Sequence, residues 1–348
     1  MRAVLMRGTG IPDILTVEEV DQPEISEPNQ LLIRVMAAGI NPVDTKVRSN
    51  GLFFPDGFPA ILGCDGAGIV EAVGSDVSRF QPGDQVYYCY GGLGNKVNGS
   101  SLGNYADYAV VDEAYVSIKP DCLGFDEAAA APLVLITAWE ALFDRAGIHS
   151  GQKVFIHAGA GGVGHVAIQL AKVAGCEVAT TVSSEEKTAF VKELGADLVI
   201  NYKSEDVADA LLKWTDGEGV HVAFDTVGGT AFNQLVPAMA HYSDLVTILQ
   251  VPNDADWKSL RMKNVRISQE LMLTPMIYNL RDGAEHHADI LEQCAQLFDE
   301  QKLSIFVSGV LPLEDAVKAH TMIEAGDTTG KIVLDTSGDE FASDNVES

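Results

Sequence analysis

Residues 154–175, VFIHAGAGGVGHVAIQLAKVAG, set Gly159, Gly161 and Gly164 in the spacing G-x-G-x-x-G. The glycines follow a short apolar run and open a stretch of helical periodicity, the context in which this spacing binds a dinucleotide. Gly159 permits the tight turn, Gly161 lets the backbone approach a pyrophosphate, and Gly164 allows close packing of helix on strand. The N–H groups at the start of that helix can then receive phosphate charge. Gly159, Ala160, Gly161, Gly162, Val163 and Gly164 are therefore the expected cofactor-binding turn.

The end of the next strand selects the nucleotide. An NADH site puts Asp or Glu there to hold the ribose hydroxyls. This chain has Thr180, Thr181, Val182, Ser183 and Ser184, with Lys187 one turn into the following helix. Hydroxyls and an ammonium suit the extra phosphate of NADPH, so NADPH/NADP+ is the expected cofactor, with Ser183, Lys187 and Tyr202 as contacts. Blander roles stay open: Ser184 as a helix cap, Lys187 as a solvated charge, Tyr202 as a half-buried aromatic, and Glu185 or Glu186 bending to a ribose. Asp225–Gly229 and Leu249–Val251 follow later strands, where ligand-facing loops belong; Leu249 and Val251 join the expected cofactor contacts.

These groups need a parallel sheet to hold them. Strands are expected at Lys153–Ala158, Cys176–Val182, Leu198–Ile200, Val222–Asp225 and Leu245–Leu249. Helices alternate with them at Gly164–Val173, Ser184–Leu194, Val207–Trp214 and Phe232–Met239, the pattern of a sheet covered on both faces. The chain before them is rich in short β-type runs (LLIRVMAAG, AGIVEAVG, DQVYYCY, YADYAVV) broken by Gly, Pro and Asp. After them come expected helices at Ala288–Glu300 and Leu313–Ile323 and a strand at Lys331–Asp335 that should return to the first domain. The α/β reading is thus a partly barrel-shaped β domain over 1–125, a Rossmann-type doubly wound sheet over 126–270, a return to the first domain over 271–336, and a flexible acidic tail over 337–348.

With 348 residues, 47% of them hydrophobic, the chain can bury two cores. Fifty acidic against 23 basic residues leave a formal charge of −27, which argues against nucleic acid and anionic membranes as partners. The same charge suits either a salt-rich environment or a plainly well-solvated surface. No stretch of about 18 apolar residues could span a bilayer. MRAVLMRGTG breaks at Gly8 and Gly10 where a signal peptide would build an apolar run. Five scattered cysteines without a CxxC pair suit a reducing compartment, so the expected location is the cytoplasm. No G-x-S-x-G elbow supports hydrolysis.

The ordered motifs resemble the medium-chain dehydrogenase/reductase superfamily, in its zinc-independent quinone oxidoreductase branch, which includes the zeta-crystallin-like proteins. The marks are AAGINPVDTKVRSN (37–50), LGCDGAGIVEAVG (62–74), FQPGDQV (80–86), AAAAPLVLITAWEAL (128–142), HAGAGGVG (157–164), ELGADLVINYKSED (193–206), FDTVGG (224–229) and GKIVL (330–334). The resemblance covers nearly all of the chain before the tail and implies that the first domain is GroES-like. The zinc alcohol dehydrogenases of the superfamily carry ligands where this chain has Asn41, Cys64 and Leu133, and their four-cysteine lobe is absent. No metal site is therefore expected, although Cys64 with Asp44 or Asp65 is a reduced ligand set.

Without a Lewis acid, the reaction implied is reduction of a quinone or another α,β-unsaturated carbonyl compound by direct hydride transfer from NADPH. The resemblance suggests site roles for Asn41, whose amide can donate to a carbonyl, for Asp44 as an orienting group, and for Thr137 near the nicotinamide. Each has a structural alternative: Asn41-Pro42 as a turn, Asp44 as a loop carboxylate, Thr137 as the cap of a helix it begins. Phe53, Phe54, Tyr87 and Tyr88 read equally as an acceptor pocket or as β-domain core. Reduction of 2-alkenals or enoyl thioesters is the runner-up, and an NADPH-binding structural or regulatory role the alternative of another class; a zinc-type alcohol dehydrogenase ranks last. The apolar run NVRISQELM (264–272), following the last strand of the sheet, implies a homodimer by analogy with related dimers.

Overall fold

The computed structural model describes residues 1–97 and 99–338; the greater part of the acidic tail, from 339 on, lies outside the described residues. In chain order, β1 (Arg2–Met6), β2 (Leu15–Glu19) and β3 (Gln30–Ile40) lead into α1 (Pro42–Asn50). β4 (Ala60–Ile61), β5 (Asp65–Val73), β6 (Gln85–Cys89) and the short pair β7 (Lys96–Val97) and β8 (Ser100–Ser101) follow. β9 (Tyr108–Asp112), β10 (Val116–Ile118) and α2 (Phe125–Ala130) come next, and α3 (Pro132–Trp139) leads into the alternating region. There β11 (Lys153–Ile156), α4 (Gly162–Val173), β12 (Glu177–Val182), α5 (Glu185–Glu193), β13 (Leu198–Asn201) and α6 (Val207–Trp214) succeed one another. β14 (Val220–Asp225), α7 (Thr230–Leu235), β15 (Met239–Thr247), α8 (Trp257–Met262) and β16 (Arg266–Gln269) complete it. The last elements are α9 (Thr274–Tyr278), α10 (Arg281–Asp299), β17 (Val307–Pro312), α11 (Ala316–Ala325) and β18 (Lys331–Asp335).

The chain divides into two compact units: 1–133 with 273–301 and 305 onward, and 134–272 with 302–304. The first contains a seven-stranded sheet in the order β10-β6-β5-β3-β18-β17, with β9 also paired to β3. β3 reads QLLIRVMAAGI and is apolar at almost every position because most of its length is buried on both faces. β18 returns to this sheet and runs antiparallel to β3, with Ile332 opposite Ile40 and Val333 opposite Gly39. α2 packs on β3 and β5, so this unit extends past the change of texture at residue 126.

The second unit is a six-stranded, all-parallel sheet in the order β13-β12-β11-β14-β15-β16. Strand order reverses between β11 and β14, and ligands bind such sheets in the crevice outside the C-terminal strand ends at that switch. Phe155, Ala179, Ile200, Leu211, Phe232 and Leu245 pack in one core on this sheet.

Several sequence expectations shift here, among them the strand expected at Leu245–Leu249, which runs from Met239 to Thr247, and the helix expected from Leu313, which starts at Ala316 after a 3₁₀ turn. The helix expected over Phe232–Met239 ends at Leu235, where a 3₁₀ turn containing Pro237 intervenes and Met239 already begins β15. NVRISQELM does not follow the last strand; it contains it, as β16 at the sheet edge. The helix expected from Ala288 starts earlier, at Arg281.

Candidate active site

In the second unit, β11 ends at Ile156 and the chain turns through Ala158, which adopts a left-handed φ of 51°. Two bonds to β12 hold the turn: Ala158 N–H donates to Thr181 Oγ1 at 2.9 Å and Gly159 N–H to the Thr181 carbonyl at 3.1 Å. A Cβ on Gly159 would lie 2.2 Å from Thr180 Oγ1, and one on Gly164 2.3 Å from the Ala158 carbonyl oxygen. These two glycines are required by packing inside the protein. Gly161 differs, since a Cβ there would meet nothing closer than the Ala158 carbonyl at 3.2 Å. The first intrahelical bond of α4 runs from His165 N–H to the Gly161 carbonyl at 3.0 Å. The N–H groups of Gly162, Val163 and Gly164 therefore precede the helix ladder, and Gly161, Gly162 and Val163 are only half-buried. An unobstructed glycine, three unengaged donors and the positive end of a twelve-residue helix fit a pyrophosphate. Ala160 is buried under the turn.

The hydroxyls of β12 divide their work. Thr180 Oγ1 donates to the Ile156 carbonyl at 2.7 Å, and Thr181 Oγ1 supports Ala158, so both are spent on the turn. Ser184 caps α5, its Oγ accepting the Lys187 N–H at 3.3 Å. Ser183 and the Lys187 side chain are half-buried in the same region, whereas Tyr202 is 54% exposed rather than half-buried.

At the neighbouring strand ends, Asp225 is fully buried. Its Oδ1 accepts from Val227 N–H at 3.1 Å and Gly228 N–H at 2.9 Å and lies 2.9 Å from His157 Nδ1; its Oδ2 accepts the Thr247 hydroxyl at 2.9 Å. Burial pushes this carboxyl up, but the His157 bond and the backbone donors outweigh it and hold it below its ordinary value. One carboxylate thus ties together the ends of β11, β14 and β15. Leu249 follows, its N–H on Thr247 Oγ1 at 3.2 Å, and Gly228 lies so close beneath it that a Cβ would meet Leu249 Cδ1 at 2.7 Å. Val251 packs against the apolar core of the unit.

In the first unit, Asn41 stands at the N-terminus of α1, with Pro42 in its first turn. It is fully buried. Asn41 Nδ2 donates to Asp65 Oδ2 at 2.8 Å, and Lys331 Nζ donates to Asn41 Oδ1 and, at 3.4 Å, to Asp65 Oδ2. Asp65 Oδ1 accepts the Leu133 N–H at 2.8 Å. Asp44 Oδ2 accepts the Asn41 N–H at 2.8 Å and the Tyr105 hydroxyl at 3.0 Å, while its Oδ1 has no partner among the described residues. Burial, aided by the charge of Asp65, pushes the Asp44 carboxyl up from 3.8 to about 6, against the two donors and Lys331. Burial also raises Asp65, against the opposing pull of Lys331.

The residues around this cluster do not fit zinc. Among the described residues, no three ligand atoms from Asp44, Cys64, Asp65 and Cys89 come within 4.8 Å of one another. A zinc site needs three or four such atoms about 2.0–2.3 Å from one point, and Leu133 has no donor side chain to add.

Asn41 and Asp44 thus meet in one cluster of the first unit, and Thr137 belongs to the second unit. It neither begins nor caps its helix: it is buried well inside α3, which starts at Pro132. Tyr87 and Tyr88 are fully buried, with Tyr88 OH donating to Asn104 Oδ1 at 2.8 Å, so they are core; Phe53 is 45% exposed and Phe54 half-buried. Sequence reasoning missed Lys331 and Tyr105. A lysine placed directly before the apolar run IVL in GKIVLD was the available signal for the first.

Residues 27–121 match the family described as alcohol dehydrogenase GroES-like domain, and residues 194–334 the one described as zinc-binding dehydrogenase. A quinone oxidoreductase of Pseudomonas aeruginosa is 33% identical over 93% of this chain and 96% of its own length. A zinc-type alcohol dehydrogenase-like protein of Staphylococcus epidermidis is 32% identical over 88% of this chain and 90% of its own. The solved structure of Escherichia coli quinone oxidoreductase complexed with NADPH superposes with a TM-score of 0.83 at 27% identity, covering 96% of this chain and 99% of that one.

Proposed function

Because the chain belongs to the medium-chain dehydrogenase/reductase superfamily, in its zinc-independent quinone oxidoreductase branch, we propose that it reduces quinones or related α,β-unsaturated carbonyl compounds with NADPH. The observation that carries this reading is the cradle at Gly161–Gly164, with donors unengaged and no side chain in the way. Bound there, NADPH supplies a hydride to the electron-poor acceptor.

The protein's own residues bind and orient. The N–H groups of Gly162, Val163 and Gly164 take the pyrophosphate charge. Ser183, Lys187 and Tyr202 receive the 2′-phosphate; an ammonium and hydroxyls meet that charge better than the carboxylate of an NADH site. Asp225 holds the Val227–Gly229 and Leu249 segments in shape, and Leu249 lends an apolar wall. In the first unit Asn41, its backbone N–H held by Asp44, shapes a polar corner at the start of α1; in the second unit the family resemblance gives Thr137 of α3 a place near the nicotinamide. The proton that completes reduction comes from solvent.

Among the described residues β16 has no strand on its outer side, and Trp257, Met262 and Leu271 near it are exposed, which favours pairing with a second copy of the chain in a homodimer. Among the described residues no helix is long and apolar enough to cross a membrane, and all five cysteines are free, which suits the cytoplasm.

The test is a panel following NADPH oxidation with quinones, 2-alkenals, enoyl thioesters and alcohol/NADP+ pairs, run with and without a chelator. Turnover of quinones or enones that withstands chelation is expected. Failure to bind either reduced nicotinamide nucleotide, or turnover confined to alcohols and dependent on zinc, would overturn the proposal.

A further inference from the structure

The edge of the second unit's sheet carries an acid that the proposed chemistry does not use. Glu270 follows directly after β16, is 3% exposed, and donates its N–H to the Thr247 carbonyl at 2.9 Å. Opposite it, α3 continues as a π-helical turn over Glu140–Arg145, closed by a bond from Ala146 N–H to the Ala141 carbonyl at 3.1 Å. Such widened turns recur at functional sites. Both ends of this one hold Glu270. Arg145 Nε donates to Glu270 Oε2 at 2.7 Å, and the Glu140 carboxyl hydrogen-bonds with the Glu270 carboxyl. Two carboxyl groups share a hydrogen bond only if one of them holds a proton. Burial, aided by Glu140 and opposed by Arg145, pushes the Glu270 carboxyl up from 4.5 to about 7, which makes it the holder. Asp144 stands beside Arg145, and Arg266 of β16 is paired with Asp244 of β15. Loss of the proton therefore leaves Glu140, Asp144 and Glu270 around one guanidinium.

We propose that Glu270 is the neutral acid of a pH-operated catch: its carboxyl, donating to Glu140 and accepting from Arg145, fastens the π-helical turn to the end of β16, and release of its proton to solvent frees the turn. Both fastened parts lead to the cofactor crevice. The turn continues the helix that carries Thr137, three residues before Glu140. On the other side Thr247, whose carbonyl accepts the Glu270 N–H, donates its hydroxyl to Asp225 at 2.9 Å. Asp225 in turn holds the backbone of Val227 and Gly228. The catch is closed while Glu270 is protonated, so cofactor is held more tightly below about pH 7 than above it. Acting through the turn, Glu270 is a positioning residue. Its effect on NADPH rests on the reductase reading, whereas the catch itself rests on the geometry of residues 140–145 and 270.

The experiment reads Trp139, which directly precedes the turn and lies against Phe143 within it, ring centroids 4.5 Å apart. In the full-length chain carrying Trp214→Phe and Trp257→Phe, Trp139 is the remaining tryptophan. Its emission is followed from pH 5 to 9 without cofactor, in this parent and with Glu270→Gln, Glu140→Gln or Arg145→Met added. NADPH Kd is titrated at pH 6 and pH 8. Expected is a one-proton transition near pH 7 in the parent, and in Glu270→Gln a flat signal resembling the acid form, since the amide donates and accepts without titrating. Glu140→Gln removes a carboxylate and should move the midpoint down, while Arg145→Met removes a cation and should move it up, each by about half a pH unit. From pH 6 to 8, NADPH Kd should weaken about threefold more in the parent than in Glu270→Gln, a comparison that cancels the ligand's own titration. No transition in the parent, a transition that survives Glu270→Gln, midpoints displaced in the same direction by the two neighbouring variants, or an equal change of Kd in parent and Glu270→Gln would each overturn the proposal. If Glu270→Gln does not fold, the other two variants decide it: opposite displacements support the catch, and an unmoved midpoint sinks it. If the parent binds no NADPH at either pH, the reductase reading fails, and the Trp139 transition still judges the catch.

Discussion

In the second unit the N–H groups of Gly162, Val163 and Gly164 stand ahead of the α4 ladder without acceptors among the described residues, whereas in the first unit Asn41, Asp65 and Lys331 spend side-chain atoms on one another. The first arrangement leaves hydrogen-bonding capacity open for a ligand. The second consumes it to hold a shape. Both are polar and both depend on glycine or burial, but binding requires donors left unengaged at a rim, and positioning requires them satisfied in the interior. The same contrast recurs within single segments: Thr180 and Thr181 are used up beneath the glycine turn, while Ser183 remains beside it.

The sharpest way to break the comparison is to deform the cradle from beneath. Gly164→Ala puts a Cβ 2.3 Å from the Ala158 carbonyl, so the turn must move. NADPH affinity should fall on the order of 100-fold, about 2.7 kcal/mol, in a fluorescence titration; an unchanged Kd would show that the donors here bind no phosphate. Next comes Asn41→Ala, which removes the group bridging two buried charges. Turnover should fall roughly tenfold or more and stability by about 3 kcal/mol, with NADPH Kd unchanged. Equal losses in Kd and kcat would erase the division of labour between the two regions.

A smaller effect tests the one unsatisfied atom of the first cluster. The Asp44 carboxyl is raised from 3.8 to about 6 in the folded protein. Between these values the folded state holds a proton that the unfolded chain has released, so stability falls as pH rises through that window. Asp44→Asn cannot titrate and should remove the fall, melting several degrees above wild type at pH 7 and close to it at pH 4. Wild-type melting that is flat from pH 4 to 6.5 would contradict this. The smallest expected change is at the cofactor's far end: Lys187→Met should reduce the preference for NADPH over NADH about fivefold, roughly 1 kcal/mol. An unaltered preference would move the 2′-phosphate contact to other residues.

The glycine turn was legible because strand, turn and helix are contiguous: Lys153 to Val173 contains everything needed to recognise it. Most of the parallel sheet was legible for a similar reason, since strands such as β11 and β14 are short, largely apolar runs followed by helix signals. Legibility failed where neighbouring elements overrode local pattern. Tyr87 and Tyr88 alternate along β6, but most of that strand is buried on both faces, so alternation cannot separate a pocket from a core. Thr137 is a good capping residue set inside an apolar helix, where the chain starts the helix at Pro132 instead. The β16 edge was visible as an apolar run, though not as the strand that ends the sheet.

Residue order along the chain determined the α/β alternation, the glycine cradle and the lack of an acidic residue at the end of β12, because each is a relation between positions a few residues apart. Only the folded sheet decided that Lys331 meets Asn41 and Asp65. That encounter depends on β18 pairing with β3 in one register, and a one-residue slip would turn the lysine to the opposite face. Hydrogen-bond satisfaction in a buried cluster is a property of which strands lie side by side, and no local spacing encodes it.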